Sequence, residues 1–372
     1  MIRIMIKRAC GASPFFERKM EMHKKWIRPD HPALQYMGRI DFDDPRNPVW
    51  VFPSTYVKVR FTGTGISALV TNMRGCWDNY LGVIVDGQES KILLKPEGKQ
   101  EIVLAAGLED REHELLLFKR MDSCHQLIFH GLMIDENADV FPPEPLPGRR
   151  IEVYGDSVSA GEVSEAVEYC GLADPPHNGE FSNSYYSYAW YTARMLNAQL
   201  HNIAQGGIAL LEGTGYFHAP DYLGMEYMYD KIQYNTQIAP AKPWDFSRYT
   251  PHVVIVAIGQ NDNHPHDYMW DNYDHPKAKN WRAHYAAFIR QLRSRYPKAV
   301  IILSTTILNH WENWDKSIHA VWQELNDPNI HHFLYSNNGC GTHGHIRVPE
   351  AEQMGRELSA FIESLGPEIW ED

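Results

Sequence analysis

The proline-rich segment VFPPEPLPG, residues 140–148, constrains the fold most strongly, because it separates two halves with different hydrophobic patterns. Proline fixes φ and lacks an N–H group, so this segment can continue neither a helix nor a central strand. Residues 33–140 contain short alternating runs that are typical of half-buried strands, and Asp86-Gly87 marks a hairpin turn between two of them. We therefore predict an N-terminal extension over residues 1–32, an all-β sandwich of jelly-roll type over 33–140, and a linker over 141–148.

The second half, residues 149–372, alternates apolar strand-like runs with helical stretches. The runs are IEVYG, AQLHNIA, VVIVAIG and AVIILSTT. This alternation requires crossover connections, so it predicts a parallel sheet between layers of helices. Two domains also agree with a length of 372 residues, which exceeds what one hydrophobic core ordinarily serves.

Four loops after predicted strands of the second half carry polar groups. They are Gly155-Asp156-Ser157, the stretch NIAQGG that ends at Gly207, Gly259-Gln260-Asn261-Asp262, and CGTHGH, which ends at His345. Loops at the carboxyl ends of strands hold the ligand sites of open α/β sheets, so we expect these groups to lie together. Each motif alone is more often a turn or a helix cap, but four in order are specific.

The ordered motifs resemble the four blocks of the SGNH hydrolases, with matches at Ser157, Gly207, Asn261 and His345. The first half resembles the N-terminal domain of carbohydrate esterase family two in the phrases YMGRID, FTGTGISA, LAAGL and EHELLLFKR. The resemblance implies a flavodoxin-like α/β/α catalytic domain over residues 149–372. It also implies a serine esterase that removes O-acetyl groups from hemicellulose-derived oligosaccharides, either xylo- or gluco/mannooligosaccharides.

Acyl transfer needs a nucleophile, a base and donors for the developing oxyanion. We predict Ser157 as the nucleophile and His345 as the base, with His343 as the fallback. The N–H groups of Ser157 and Gly207 and the side-chain amide of Asn261 are the predicted oxyanion hole. The acids next to these motifs, Asp156 and Asp262, are predicted to support their own loops by accepting hydrogen bonds from amides.

The third member of a triad is not evident from the motifs. The family pattern Asp-x-x-His calls for an acid three residues before His345, but the sequence has Thr342 there. The resemblance implies a Ser157–His345 dyad in which a main-chain carbonyl accepts from Nδ1–H and fixes the tautomer. A distant carboxylate stays open as the alternative, with Asp156 and Asp262 as the named candidates.

Two tryptophans are candidates for substrate binding. Trp311 and Trp314 follow the strand-like run IILSTT, so they are expected near the edge of the sheet that holds the motifs. Indole faces stack on sugar rings, and the alternative is that one or both pack the loop. Two other functions stay open, a non-catalytic carbohydrate-binding protein and an esterase for another short acyl ester.

Charge and hydropathy exclude several partners. A formal net charge of −12 without a basic run disfavours nucleic acid, and no apolar run is long enough to span a membrane. Residues 1–19 lack an uninterrupted apolar region typical of an export signal, so we expect a cytoplasmic protein. A homo-oligomer is possible, and nothing in the sequence decides it.

Metal ligands and disulfides are not expected. The chain has five cysteines at irregular spacing, which indicates reduced thiols. Two clusters could be read as metal ligands, Cys340 with His343 and His345, and His264 with His266 and Asp267. Neither has the spacing of a well-attested zinc site, so we predict no metal and no cofactor.

Overall fold

The computed structural model describes residues 24–341 and 343–371. Three of the expectations above therefore concern residues outside the described part: the reading of residues 1–19, most of the extension over 1–32, and Thr342. Among the described helices, none has both the length and the apolar character needed to cross a membrane.

The N-terminal half forms one antiparallel sheet of ten strands. They are β1 (Lys24–Ile27), β2 (Gln35–Met37), β3 (Ile40–Asp41), β4 (Val49–Trp50), β5 (Tyr56–Met73), β6 (Tyr80–Val85), β7 (Gln88–Leu93), β8 (Glu97–Lys119), β9 (Gln126–Asp135) and β10 (Val140–Phe141). The main order is β3-β4-β9-β5-β8-β6-β7, while β1 pairs with β9 and both β2 and β10 pair with β5.

The alternating pattern of this half reappears as alternating burial. Along β5, Val57, Val59 and Phe61 are fully buried, and the intervening residues are half-buried. The register of β5 on β8 shifts after Gly63 and again after Ile66, which bends these two long strands. Apolar side chains from both ends of β5 and of β8 therefore pack into one core.

Two short strands lie where the sequence indicated none. Strand β1 falls inside the predicted extension over residues 1–32, and it pairs with β9 so that Ile27 enters the core. Strand β10 crosses residue 140, the predicted end of the β region, because Val140 pairs with Phe61. Runs of two to four residues carry too little periodicity to be recognised in a sequence.

The C-terminal half contains the predicted parallel sheet. Its strands are β11 (Arg149–Gly155), β12 (Ala198–Ala204), β15 (Val253–Ala257), β16 (Val300–Ser304) and β17 (Ile330–His332), and β13 (Lys231–Gln233) and β14 (Lys242–Pro243) form a separate antiparallel pair. The order β12-β11-β15-β16-β17 is the strand order of flavodoxin-like sheets.

Helices cover both faces of the parallel sheet. They are α1 (Ser157–Ala160), α2 (Tyr188–Met195), α3 (Met225–Met228), α4 (Pro276–Arg295), α5 (Glu312–Leu325) and α6 (Val348–Ser364), with 3₁₀ turns at Val167–Tyr169, Ser184–Tyr186, Phe246–Arg248, Gln260–Asn263 and Pro367–Trp370. Successive residues of β15 point to opposite faces, so Val254 packs in the core beneath α4 while Val253 packs beneath α2 and α6. This burial on both faces explains why β15 is apolar throughout and β16 is apolar up to its last residue, Ser304.

The two halves are in direct contact. The ring of Phe118 in β8 packs edge-on against Trp190 in α2, with centroids 5.4 Å apart. Arg39, before β3, is fully buried and donates to Glu152 Oε1 of β11 at 2.9 Å. A buried charge of this kind is stabilised only when it is paired, so the contact fixes β11 against the N-terminal sheet.

Candidate active site

Ser157 stands where β11 ends and α1 begins. Asp156 caps this turn, because its Oδ1 accepts from the Val158 N–H at 3.0 Å. A strand that leads directly into a helix turns sharply, and it presents the first helical side chain at the carboxyl edge of the sheet. Ser157 is 5% exposed, which leaves its hydroxyl in a largely water-excluded place.

His345 contacts the hydroxyl of Ser157, as the sequence predicted. It lies between β17 and α6, and its Nε2 is 2.7 Å from Ser157 Oγ. Its other ring nitrogen, Nδ1, lies 2.6 Å from Asp174 Oδ2. An ionised carboxylate only accepts hydrogen bonds, so Nδ1 carries the proton and Nε2 of the neutral ring accepts from the serine. This is the tautomer that a general base requires.

The predicted main-chain carbonyl at Nδ1 is therefore wrong, because the structure has the carboxylate of Asp174 in that position. Asp174 belongs to the long connection between α1 and α2, and not to the loop of His345. Neither Asp156 nor Asp262 takes this place. The Asp-x-x-His pattern indicates only the position three residues before the histidine, so it could not indicate an acid from another loop.

Asp174 is held from several directions. Its Oδ1 accepts from the His345 backbone N–H and from Arg347 Nη2, each at 2.8 Å. Arg347 is fully buried, and its Nε also donates to the Ala166 carbonyl at 3.0 Å. Gly344 has a φ of +75°, and a Cβ there would lie 2.4 Å from Asp174 Oδ1. Only glycine allows the backbone to approach the carboxylate this closely.

A second imidazole, His177, bridges two carboxylates beside His345. Its Nε2 lies 3.0 Å from Asp174 Oδ2 and its Nδ1 lies 2.7 Å from Glu162 Oε1. The hydrogen bonds to Asp174 and Glu162 raise the pKa of His177 to about 10, so the ring is an imidazolium at neutral pH. Sequence reasoning missed His177 and Glu162 as well as Asp174.

The cluster sets the protonation of His345. Burial raises the pKa of Asp174, but hydrogen bonds from His177 and His345 lower it by more, so Asp174 stays ionised. Burial lowers the pKa of His345, while the charge of Glu162 and the hydrogen bond to Asp174 raise it by more. The net pKa of His345 therefore lies above its usual value, although the positive charge of His177 opposes the rise.

The predicted oxyanion donors come from three converging loops. Within the part of the chain that the structure describes, the N–H groups of Ser157 and Gly207 donate to no protein acceptor. Gly207 has a φ of +73°, which favours glycine. The Asn261 amide is engaged, since Nδ2 donates to the Ile208 carbonyl at 3.0 Å and lies 3.3 Å from Asp156 Oδ2.

Asp156 and Asp262 both accept hydrogen bonds from their surroundings. Asp156 Oδ2 accepts from Gln260 Nε2 at 2.8 Å, which links the Ser157 turn to the Asn261 loop. Asp262 is fully buried and accepts from the Leu210 and Leu211 N–H groups at 2.7 and 3.1 Å. Burial raises the pKa of Asp156 to about 6 and that of Asp262 to about 7. The carboxylates of Asp156 and Asp262 therefore support their loops, and they do not orient His345.

The two candidate tryptophans differ in exposure. Trp311 precedes α5 and is 51% exposed, and its ring lies 6.0 Å from that of Trp270, which is 54% exposed. Trp314 is 2% exposed and packs edge-on against Trp281, with centroids 5.3 Å apart. The expectation that Trp314 stacks on a sugar is therefore wrong, because the first turn of α5 directs this side chain into the core.

The two sequence clusters considered as metal ligands do not assemble. Among residues 24–341 and 343–371, neither Cys340 with His343 and His345 nor His264 with His266 and Asp267 brings its ligand atoms together. The ligand atoms of Asp174, His177 and His345 do converge within 4.8 Å. Hydrogen bonds of 2.6 and 3.0 Å account for this convergence.

The missed residues share a signal that the motifs did not use. Glu162, Asp174 and His177 all lie between α1 and α2, a connection that is longer than an ordinary strand–helix loop. It also contains the phrase DPPHNG, residues 174–179, in which an acid and a histidine lie three apart. Long irregular connections in compact domains are usually functional, and this rule would have selected the segment.

Comparisons with known proteins agree with this architecture. The family description "Carbohydrate esterase 2 N-terminal" matches residues 36–144. The chain is 27% identical to an acetylxylan esterase / glucomannan deacetylase of Cellvibrio japonicus, over 91% of this chain and 90% of that protein. It is 32% identical to the cellulase/esterase CelE of Acetivibrio thermocellus over 90% of this chain, and it spans 40% of the length of that relative.

Solved structures extend the likeness to about nine tenths of the chain. A family two carbohydrate esterase from Clostridium thermocellum, solved with cellohexaose, has a TM-score of 0.75 at 26% identity and covers 91% of this chain and 100% of its own. One from Cellvibrio japonicus has a TM-score of 0.77 at 24% identity, with coverages of 92% and 98%, and shows a shared fold. Residues 36–144 therefore match the N-terminal domain of carbohydrate esterase family two. The fold of the chain is similar to that of the solved family two esterases.

Removing the charges beside His345 is expected to move the pH profile in opposite directions. The predicted base, His345, must be neutral to accept a proton, so we expect kcat/KM to fall as pH drops below the pKa of His345. His177→Gln removes a positive charge that lowers this pKa, so the acid limb moves to higher pH. Glu162→Gln removes a negative charge that raises it, so the limb moves to lower pH. The measurement is kcat/KM for acetate release against pH, and shifts in the same direction would contradict the assigned charges.

Proposed function

We propose that this protein is a serine esterase that removes O-acetyl groups from acetylated hemicellulose-derived oligosaccharides through an acyl-enzyme. The observation that carries the proposal is the continuous hydrogen-bonded chain from Ser157 Oγ through His345 to Asp174. A serine is a weak nucleophile unless an adjacent base takes its proton, and this chain supplies an oriented base.

In the proposed first step, His345 Nε2 takes the hydroxyl proton while Ser157 Oγ attacks the acetyl carbonyl. The imidazolium that forms is stabilised by the Asp174 carboxylate. His345 then gives the proton to the departing sugar oxygen, which leaves an acetyl group on Ser157. In the second step His345 takes a proton from water, the hydroxide attacks the acetyl carbon, and acetate departs as Ser157 recovers its proton.

The proposed oxyanion hole consists of the N–H groups of Ser157 and Gly207 and the amide of Asn261. The two backbone donors are supported by their lack of an acceptor within the described chain. Asn261 joins them by exchanging its longer hydrogen bond, the one at 3.3 Å to Asp156, for the oxyanion. Each donor of this kind contributes about 2.7–4 kcal/mol to transition-state stabilisation.

The finer description of the fold belongs to the same proposal. We propose that the bent antiparallel sheet is a jelly-roll sandwich and that the parallel sheet is the flavodoxin-like core of an SGNH domain. The support is the long bent strands β5 and β8 in the first half and the strand order of the second.

The proposed substrate rests on the relatives and on exposed aromatic rings. One relative is named a glucomannan deacetylase, and a neighbouring structure contains cellohexaose, so β-linked sugar chains are the substrate class. Trp311 caps α5 in the connection that follows β16, a strand of the same parallel sheet as β11, and its exposed ring supports stacking on a sugar. The hydrogen-bonded Ser157 favours catalysis over carbohydrate binding alone.

We expect acetate release from acetylated xylo- and gluco-mannooligosaccharides, undiminished by a chelator. Trp311→Ala should raise KM for the oligosaccharides about 3–10-fold, which corresponds to the loss of one aromatic contact. It should leave KM for a small aryl acetate unchanged. Trp26→Ala is the matched control, because Trp26 is 50% exposed and lies in the N-terminal sheet.

If the protein hydrolyses other short esters but no acetylated sugar, the alcohol part of the proposed substrate must be something other than a sugar. If it hydrolyses no ester, the esterase proposal is contradicted. Loss of activity with the chelator alone would require a metal.

A further inference from the structure

A pair of cysteines close to the site is not used by the proposed chemistry. Cys76 lies in the turn after β5 and Cys124 in the turn before β9, just beyond Met73 and Gln126, the last paired residues of these strands. Their Sγ atoms lie 3.0 Å apart, about 1 Å more than the length of a disulfide bond. We propose that Cys76 and Cys124 are a disulfide-forming pair whose oxidation ties the two turns together.

The two turns are already packed closely enough for the bond. A Cβ on Gly75 would lie 2.0 Å from the Cys124 carbonyl oxygen, so only glycine fits there. The Gly75 N–H also donates to His125 Nδ1 at 3.0 Å. Backbone contacts therefore hold the two turns together, and the sulfur atoms are about 1 Å from bonding distance.

The exposure of the two thiols sets the order of the reaction. Cys76 is exposed, whereas Cys124 is buried, and burial raises the pKa of the Cys124 thiol. Cys76 therefore meets an external oxidant first, and Cys124 acts as the resolving thiol.

The oxidant is a small-molecule disulfide such as oxidised glutathione. The Cys76 thiolate attacks one of its sulfur atoms, forms a mixed disulfide and releases one thiolate. Cys124 Sγ then attacks the Cys76 sulfur, and the second thiolate departs. Two protein thiols are oxidised, one external disulfide is reduced to two thiols, and the protons of the cysteines pass to the released thiolates.

A metal site is the competing reading of the same residues, since Cys76, Cys124 and His125 bring their ligand atoms within 4.8 Å. Two thiolates at 2.3 Å from a tetrahedral zinc ion would be separated by about 3.8 Å. The observed separation of 3.0 Å is shorter and favours a direct bond between the sulfur atoms. His125 Nδ1 is moreover engaged by the Gly75 N–H.

The tied turns both contact the candidate active site, and this consequence rests on the proposed function. Asp122 Oδ1 accepts from the Cys124 N–H at 3.0 Å, and its Oδ2 accepts from the Gly206 N–H at 2.7 Å, next to the proposed donor Gly207. Trp77 packs edge-on against the His177 ring, with centroids 5.5 Å apart. The disulfide would hold both contacts in place.

The test uses the full chain, incubated with oxidised glutathione and then freed of it. We expect the loss of two thiols, a linked peptide pair containing Cys76 and Cys124, and a rise in Tm of about 5 °C or more that dithiothreitol reverses. Cys76→Ser should abolish the linked pair and the rise, whereas Cys170→Ser, at another exposed cysteine, should retain both.

Three results would overturn the pair. The first is an intramolecular disulfide that joins Cys76 or Cys124 to another cysteine, and the second is no disulfide between them at all. The third is stoichiometric binding of Zn²⁺ alone that Cys76→Ser removes and that prevents oxidation, which would make the cluster a metal site. None of these readouts depends on esterase activity, so failure here is distinguishable from failure of the proposed function.

Discussion

Replacing Asp174 with Asn is expected to lower kcat for acetate release by about 10³–10⁴-fold. The amide cannot enforce the tautomer in which His345 Nδ1 carries the proton, and it provides no charge to stabilise the imidazolium. The acid limb of the pH profile should also move to lower pH, because the hydrogen bond to Asp174 raises the pKa of His345. The measurement is kcat with an acetylated oligosaccharide across pH.

Structural damage must be separated from this effect, since Asp174 also pairs with the buried Arg347. Thermal unfolding of Asp174→Asn shows whether the protein stays folded at the assay temperature. Asp274→Asn, at an exposed carboxylate before α4, is the control and should keep full activity. A folded Asp174→Asn variant with more than about a tenth of the original kcat would return the orienting role to some other acceptor.

Ser157→Ala is expected to have the largest effect, a loss in kcat of about 10⁶-fold that leaves substrate binding largely intact. The hydroxyl is the proposed nucleophile, and without it no acyl-enzyme forms. Acetate release is again the readout, and binding of the oligosaccharide by calorimetry checks that the site persists. Ser247→Ala, at an exposed serine far from His345 in sequence, serves as the control.

A Ser157→Ala variant that retained appreciable acetate release would mean that water, activated by another group, attacks the ester directly. Loss of binding together with activity would point to a disrupted turn, because Ser157 is the first residue of α1.

The sequence predicted the parts of the site that follow regular strands. Ser157, Gly207 and Asn261 come directly after β11, β12 and β15, and parallel strands bring their carboxyl ends to one edge. His345 was predicted from its block, and its Nε2 lies 2.7 Å from Ser157 Oγ. These positions could be predicted because a local motif and a strand pattern both indicated the same edge of the sheet.

The residues that orient His345 could not be read in this way. Asp174 reaches Nδ1 from an irregular connection, and no periodic pattern fixes where such a connection folds. The family spacing directed attention to position 342 instead. Trp314 illustrates a related limit, because only the packed helix α5 shows that it faces Trp281 while Trp311 faces solvent.

The most direct test of the central claim, an activated Ser157, is labelling with a small fluorophosphonate, which reacts with a serine only when a base and an oxyanion hole activate it. The labelled residue is identified by peptide mass spectrometry in the unmodified protein and in Asp174→Asn. We expect stoichiometric modification of Ser157 alone, slowed by orders of magnitude in Asp174→Asn. Modification of a different residue, no modification at all, or equal rates in the two proteins would contradict the claim.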